Sequence, residues 1–387
     1  MTEKSYDKIL IWLILIFIFA AFIGTPLGWD FYTSDENRSL APWPSKNRAL
    51  TEYPKLIENY FNDHVGFRNA LIRRHKKIMR KIEKQNRVTF GTDGWIFYNA
   101  NIITHDYLGN KQPSPEKTQR IRNALTTRTE YFAQKGINYL VLIPSNKISI
   151  YPEKLPKQLQ ALKGKTNREC LSTLFKSEFP DTVIDLFPVL WNAKKDDTPL
   201  YIRTDTHWNY EGAFVAHNGM YPRLKELLPE ISPSLKRTQF DHSKKPLKGD
   251  IAKMTGTPDD YPIEIEYWTN QTASTWTRTE LTNSVFLTKA NMPLNHEPPF
   301  TIHNPAGKYD VVVFHDSYSC YLMQMLPYYF KNTTFIWHYS NESLIHNAVN
   351  ICKPDLVIEE CLERFLVDDR KGAFLNSIRL ENTTHGL

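Results

Sequence analysis

Five short apolar runs constrain this chain more than any other feature: Tyr139–Ile143, Val183–Leu186, Asp310–Phe314, Thr334–Trp337 and Asp355–Ile358. They are nearly continuous in apolar residues and do not alternate with polar ones, the pattern of strands buried on both faces. Between them apolar residues recur at helical intervals, in Glu116–Lys135, Lys157–Phe179, Tyr210–Leu228, Tyr318–Phe330 and Ser343–Ile351. Buried strands alternating with helices predict a parallel sheet in a three-layer α/β/α domain, set here at residues 86–387. The stretch at about 229–305 breaks the rhythm. It is Pro-rich and polar, with Thr-rich alternation from Glu264 to Thr288, and reads as an insertion carrying a few antiparallel strands.

A second constraint lies upstream. Ile9–Trp29 carries no charge, between Lys8 and Asp30. About 20 apolar residues in a helix cross the hydrocarbon layer of a bilayer. Lys4 and Lys8 precede the run, while Asp30, Asp35 and Glu36 follow it, which orients residues 1–8 toward the cytoplasm. The run is long for a cleaved signal peptide and no A-x-A site closes it, so an uncleaved transmembrane anchor is expected at 9–29. Residues 30–85 then form a Pro- and Ser-rich linker followed by a helical section, Ile57–Ile82, with a basic cluster around Arg73–Lys81.

The formal net charge of +6 arises from cations scattered among 42 acidic residues, so nucleic acid is not expected as a partner. Cys170, Cys320, Cys352 and Cys361 lack the spacing of a metal site and read as buried thiols; neither a metal nor an organic cofactor is expected.

Two stretches can carry chemistry. In Thr204-Asp205-Thr206-His207-Trp208-Asn209, an Asp two residues before a His can turn its carboxylate onto imidazole Nδ1 and fix the tautomer. In Tyr309–Ser319 a buried strand runs directly into Asp316-Ser317 and a helix. A Ser at that turn is often a helix N-cap. It also stands at the carboxyl edge of a sheet, where ligands gather, with its Oγ and backbone N–H able to face a cleft.

Together with Tyr53-Pro54, Phe61-Asn62-Asp63-His64-Val65-Gly66-Phe67-Arg68, Gly91-Thr92-Asp93-Gly94-Trp95-Ile96-Phe97, Ile143-Pro144-Ser145-Asn146-Lys147, Gly249-Asp250-Ile251-Ala252, His315-Asp316-Ser317-Tyr318-Ser319 and Pro354–Glu359 with Glu363-Arg364, these stretches resemble the alginate O-acetyltransferases of the AlgJ and AlgX type, an SGNH hydrolase-like group. The anchor makes the chain more similar to the AlgJ type. The resemblance implies Ser317 as nucleophile, His207 as base and Asp205 as its orienting acid. It also implies a membrane-bound O-acyltransferase (MBOAT) partner supplying acetyl groups, a polysaccharide acceptor, and a catalytic domain on the periplasmic side of the bacterial inner membrane. His315 stands where the simplest signature has Gly, and no G-x-N-D block supplies oxyanion donors. Asn146 and Lys147, after the strand at 139–143, are the candidates for oxyanion and substrate contact, and Trp208 and Tyr318 for stacking on sugar rings.

The expected function is transfer of acetyl groups, through a serine acyl-enzyme, to hydroxyls of an exported polysaccharide such as an alginate-like polymer or cellulose. The alternatives are an extracytoplasmic carbohydrate acetylesterase using the same three residues, and a noncatalytic polysaccharide-binding component of an export complex.

Overall fold

The computed structural model describes residues 40–45, 49–74, 87–110, 112–195, 197–281 and 297–367, with Trp12, Leu15 and Phe19. Apart from those three residues, which are helical and exposed, the expected anchor at 9–29 lies outside the described residues, as does most of the basic cluster. Among the described residues no helix is long and apolar enough to cross a membrane.

The chain divides into two compact units, Met1–Val88 with Lys248–Pro262, and Thr89–Leu247 with Ile263–Leu387. In the first, the helix Tyr53–His64 stops before a turn in which Phe67 takes a left-handed φ of 62°, and helix resumes over 68–74. The expected single helical section is therefore broken at Gly66-Phe67. Arg73 and Lys248 both reach the Asp259 carboxylate, at 3.0 and 2.9 Å.

The second unit is built on a seven-stranded sheet. After the small two-stranded sheet of β1 (Val88–Phe90) and β2 (Ile96–Tyr98) come β3 (Asn138–Ile143), β4 (Val183–Asp185), the ribbon strands β5 (Phe240–Leu247) and β6 (Ile263–Asn270), then β7 (Thr277–Glu280), β8 (Phe300–His303), β9 (Tyr309–Phe314), β10 (Phe330–Ile336) and β11 (Leu356–Glu360). The order across the large sheet is β4-β3-β11-β9-β10-β8-β7. The five runs picked out in the sequence are its five parallel strands. The sheet as a whole is mixed, because β8 and β7 extend it antiparallel, a correction to the parallel sheet expected. The reason lies in chain length. Parallel strands need a crossover of a dozen or more residues, whereas only residues 304–308 separate β8 from β9. That link passes so close to the start of β10 that a Cβ on Gly307 would lie 2.1 Å from the Phe330 carbonyl carbon.

Successive strand residues feed two apolar layers. Leu140, Leu142, Val311, Val313 and Ile358 pack with the helix Tyr210–Leu227 through Ala213, Phe214, Met220 and Leu224. Val141, Ile143, Val312 and Val357 face the helices Pro115–Gln134, Asn167–Glu178 and Glu342–Cys352. Covering both faces removes the sheet from water, which is why its strands read as continuous apolar runs.

Two helical expectations need correction. Lys157–Phe179 is two helices, Lys157–Gln160 and Asn167–Glu178, and the second opens with a capping box of Thr166 and Glu169. Tyr318–Phe330 is two 3₁₀ segments, Ser317–Gln324 and Leu326–Tyr328, and Phe330 already belongs to β10. A 3₁₀ turn rises further per residue than an α turn, which suits a crossover this short. None of the four cysteines forms a disulfide, and of the buried thiols expected only Cys361 is buried; the other three are half-buried.

Candidate active site

The segment 200–209 folds back on itself. Tyr201 and Trp208 form an antiparallel bridge, the Ile202 N–H donates to the His207 carbonyl at 3.1 Å, and the Asn209 N–H to the Leu200 carbonyl at 2.9 Å. Asp205 and His207 sit at its tip. Asn209 then caps the helix Tyr210–Leu227 by accepting from the Gly212 N–H at 2.9 Å. A side chain at position 212 would place its Cβ 2.2 Å from the Leu200 carbonyl oxygen, so glycine is required where the helix start closes on the loop.

Lys147 holds this loop from beneath. Its ammonium donates to the carbonyls of Ile202 at 3.1 Å, Arg203 at 3.1 Å and Asp205 at 2.5 Å. It lies over the rings of Trp95 and Phe97 and is only 4% exposed. The expected substrate contact gives way to a positioning role, because three backbone carbonyls surround the charge.

Ser317 stands at the carboxyl end of β9. The cap of the 3₁₀ segment is Asp316, whose carboxylate accepts from the Tyr318 N–H at 2.9 Å, so Ser317 is not the N-cap. Its Oγ is 2.7 Å from His207 Nε2, and His207 Nδ1 is 2.6 Å from Asp205 Oδ1. A carboxylate only accepts, so Nδ1 carries the proton donated to Asp205. In the neutral imidazole this leaves the Nε2 lone pair facing the serine hydroxyl, which donates to it. The His207 backbone N–H also reaches Asp205 Oδ1, at 3.1 Å. The structure thus brings the three residues from two distant stretches into one hydrogen-bonded chain.

Trp208 and Tyr318 are both 0% exposed, which rules out stacking on sugar rings. Asn146 is buried after β3, and among the described residues neither its side-chain oxygen nor its side-chain nitrogen has a hydrogen-bond partner. A buried amide left unpaired is costly and calls for a function.

Sequence reasoning missed the acids beneath the site. Glu360, at the end of β11, is fully buried and accepts from the Asp316 N–H at 2.9 Å and from Ser319 Oγ at 3.2 Å. Burial first, and the neighbouring Asp316 carboxyl second, push its pKa well above the usual carboxylate range, which favours the neutral acid. Glu363 accepts from Ser149 Oγ and lies 3.4 Å from Arg168. Burial, reinforced by Asp106, raises it to about 7. For Glu360 the available signal was the adjacent pair Glu359-Glu360 closing an apolar strand, since buried ionisable groups cluster near functional sites.

The family profile described as the SGNH hydrolase-like domain of the acetyltransferase AlgX matches residues 88–293, more than half of the chain. The chain belongs to this family. The matched stretch of this AlgX-family acetyltransferase includes Asp205 and His207 and ends before Ser317. Among solved structures, Bacillus cereus PatB1 is similar at a TM-score of 0.54 and 14% identity, covering 73% of this chain and 97% of its own. A second PatB1 structure, with a sulfonyl adduct, gives 0.52 at 14% identity over 73% and 98%. A DHHW family protein from Eubacterium siraeum gives 0.51 at 14% identity over 67% and 89%. These likenesses bear on the fold alone. The O-acetyltransferase domain of Pseudomonas putida AlgJ is similar at 0.47, with 18% identity over 73% and 93% of the two chains. A search of curated proteins found no match.

Proposed function

We propose that this acetyltransferase works through a serine acyl-enzyme and delivers acetyl groups to hydroxyls of a polysaccharide. The observation that carries the reading is the continuous hydrogen-bonded chain Asp205–His207–Ser317, with contacts of 2.6 and 2.7 Å. Ser317 Oγ attacks the acetyl carbonyl carbon of a donor ester while its proton passes to His207 Nε2. The imidazolium so formed is stabilised by Asp205. Collapse of the oxyanion breaks the bond to the donor alkoxide, which takes the proton from Nε2 and leaves. A sugar hydroxyl then gives its proton to Nε2 and attacks the acyl carbon, and the departing Ser317 Oγ recovers that proton. Asn146 is the proposed oxyanion donor, because its unpaired amide follows β3 at the carboxyl edge of the same sheet.

The acceptor class is carried over from the alginate-related relatives. A donor supplied by a membrane-bound O-acyltransferase, and an extracytoplasmic domain anchored through residues 9–29, complete the proposal.

The test compares wild type with Ser317→Ala on a chromogenic acetyl ester and an oligosaccharide acceptor, read by mass spectrometry. Acetylation of the sugar should vanish in the variant. A sulfonyl fluoride should add one mass label to wild type and none to Ser317→Ala. Labelling of the variant at the same rate, or undiminished transfer by it, would overturn the proposal.

A further inference from the structure

Beside the loop that carries Asp205 and His207 is a cavity of about 370 Å³, walled by residues of 197–203, by 209–211 and by ribbon strand β6. Tyr210 gives it aromatic surface, and Asp197, Glu211 and Glu266 give it carboxylates, whereas Arg203 is the one cation among the described lining residues. Aromatic faces beside a few fixed polar groups make a pocket that binds a ligand with apolar faces and hydroxyl edges. The carboxylates are already oriented. Glu211 accepts from Arg237 Nε at 3.0 Å, and Glu266 accepts from the Trp268 indole N–H at 2.9 Å and lies 3.4 Å from His242.

Aromatic rings run from the cavity wall toward the site. The Tyr210 ring packs edge-on against Tyr321 with centroids 4.9 Å apart, and Tyr321 lies 6.4 Å from the His207 ring. All three side chains are half-buried, so each shows a part of its ring.

We propose that this cavity is the acceptor subsite and that it takes an uncharged sugar chain, with one residue against Tyr210 and a neighbouring one reaching His207 along Tyr321. The inference rests on the acetyl-transfer reading above and narrows it. A polymer of uronate residues would bring one carboxylate per sugar into a lining where Asp197, Glu211 and Glu266 stand against Arg203 and the Arg237 paired with Glu211, an excess of carboxylates that makes an unfavourable encounter and that added salt screens.

The experiment uses the full chain carrying Ser317→Ala, titrated calorimetrically with a β-linked glucose hexamer and a hexuronate of equal length. The glucose hexamer should bind at least about tenfold more tightly at low salt, and the gap should narrow as salt rises. Tyr210→Ala should weaken the neutral hexamer about tenfold or more, while Tyr210→Phe should retain its binding. Replacing Asp197 and Glu266 together by lysine should shift preference toward the hexuronate. Equal or tighter binding of the hexuronate, binding of neither oligomer, or an unchanged affinity in Tyr210→Ala would overturn the inference. Ser317-dependent cleavage of a chromogenic acetyl ester by the unaltered chain tests the parent reading separately, so the two failures are distinguishable.

Discussion

Trp208 donates its indole N–H to the Tyr318 carbonyl at 2.9 Å, and the two rings pack edge to face with centroids 5.2 Å apart. Tyr318 answers with its hydroxyl on the Thr206 carbonyl at 2.6 Å. These residues directly follow His207 and Ser317 in the chain, so their contacts fix the spacing between Nε2 and Oγ. Trp208→Phe keeps most of the burial but removes the indole donor to the Tyr318 carbonyl, which should cost about 1–3 kcal/mol. Since misplacement by about 1 Å can cost 10²-fold in rate, kcat should fall by more than tenfold. Urea unfolding and ester kinetics on one preparation check both, and a variant that is destabilised but fully active would show that the staple does not set the geometry.

Lys147 makes a related prediction for the loop's other side. Lys147→Met fills similar volume but strips donors from the carbonyls of Ile202, Arg203 and Asp205. The expected result is a fall in kcat of about 10²-fold with a smaller change in KM, the signature of a misplaced base rather than lost substrate contact. A selective rise in KM would restore Lys147 as a substrate ligand.

The difference between Lys147 as contact and Lys147 as support shows where sequence reading ends. The five parallel strands were legible because double-sided burial leaves unbroken apolar runs, and Asp205, His207 and Ser317 because two spacings match one chemistry. Antiparallel strands in the insertion were legible from the Thr-rich alternation, but the joining of β7 and β8 to the edge of the large sheet was not, because Thr277–Glu280 is wholly exposed, and the short link at 304–308 shows its consequence only once β10 is in place. Trp208, Tyr318 and Lys147 were recognised as belonging to the site but given outward roles. Sequence names the side chain and its neighbourhood, whereas burial decides which way it faces.

Glu360 should behave as a neutral acid. Glu360→Gln keeps an oxygen to accept from the Asp316 N–H and from Ser319, and replaces the acidic O–H by an amide donor, so it should fold and turn over near wild type. Glu360→Ala leaves those donors unpaired and should lose about 2–4 kcal/mol. Because the folded pKa is raised by burial, the contribution to stability is full below the unfolded pKa and is lost as pH rises through the folded value. The alkaline loss of stability should therefore shrink in Glu360→Gln; an identical profile for the two proteins would mean that Glu360 does not carry this proton.

His217 gives the opposite sign at acid pH. It is fully buried in the helix Tyr210–Leu227, with Nε2 2.7 Å from the Tyr329 hydroxyl, and burial lowers its pKa to about 4. Between its ordinary 6.5 and that value the unfolded chain takes up a proton that the folded chain refuses. Stability present above pH 6.5 is thus lost as pH falls toward 4, by about 3 kcal/mol for this one group. His217→Gln retains a polar partner for Tyr329 and cannot titrate, so it should be modestly less stable than wild type at pH 7 and close that gap near pH 4.5. Denaturant unfolding at the two pH values decides it, and a gap that stays constant would mean that His217 titrates alike in the folded and unfolded chain.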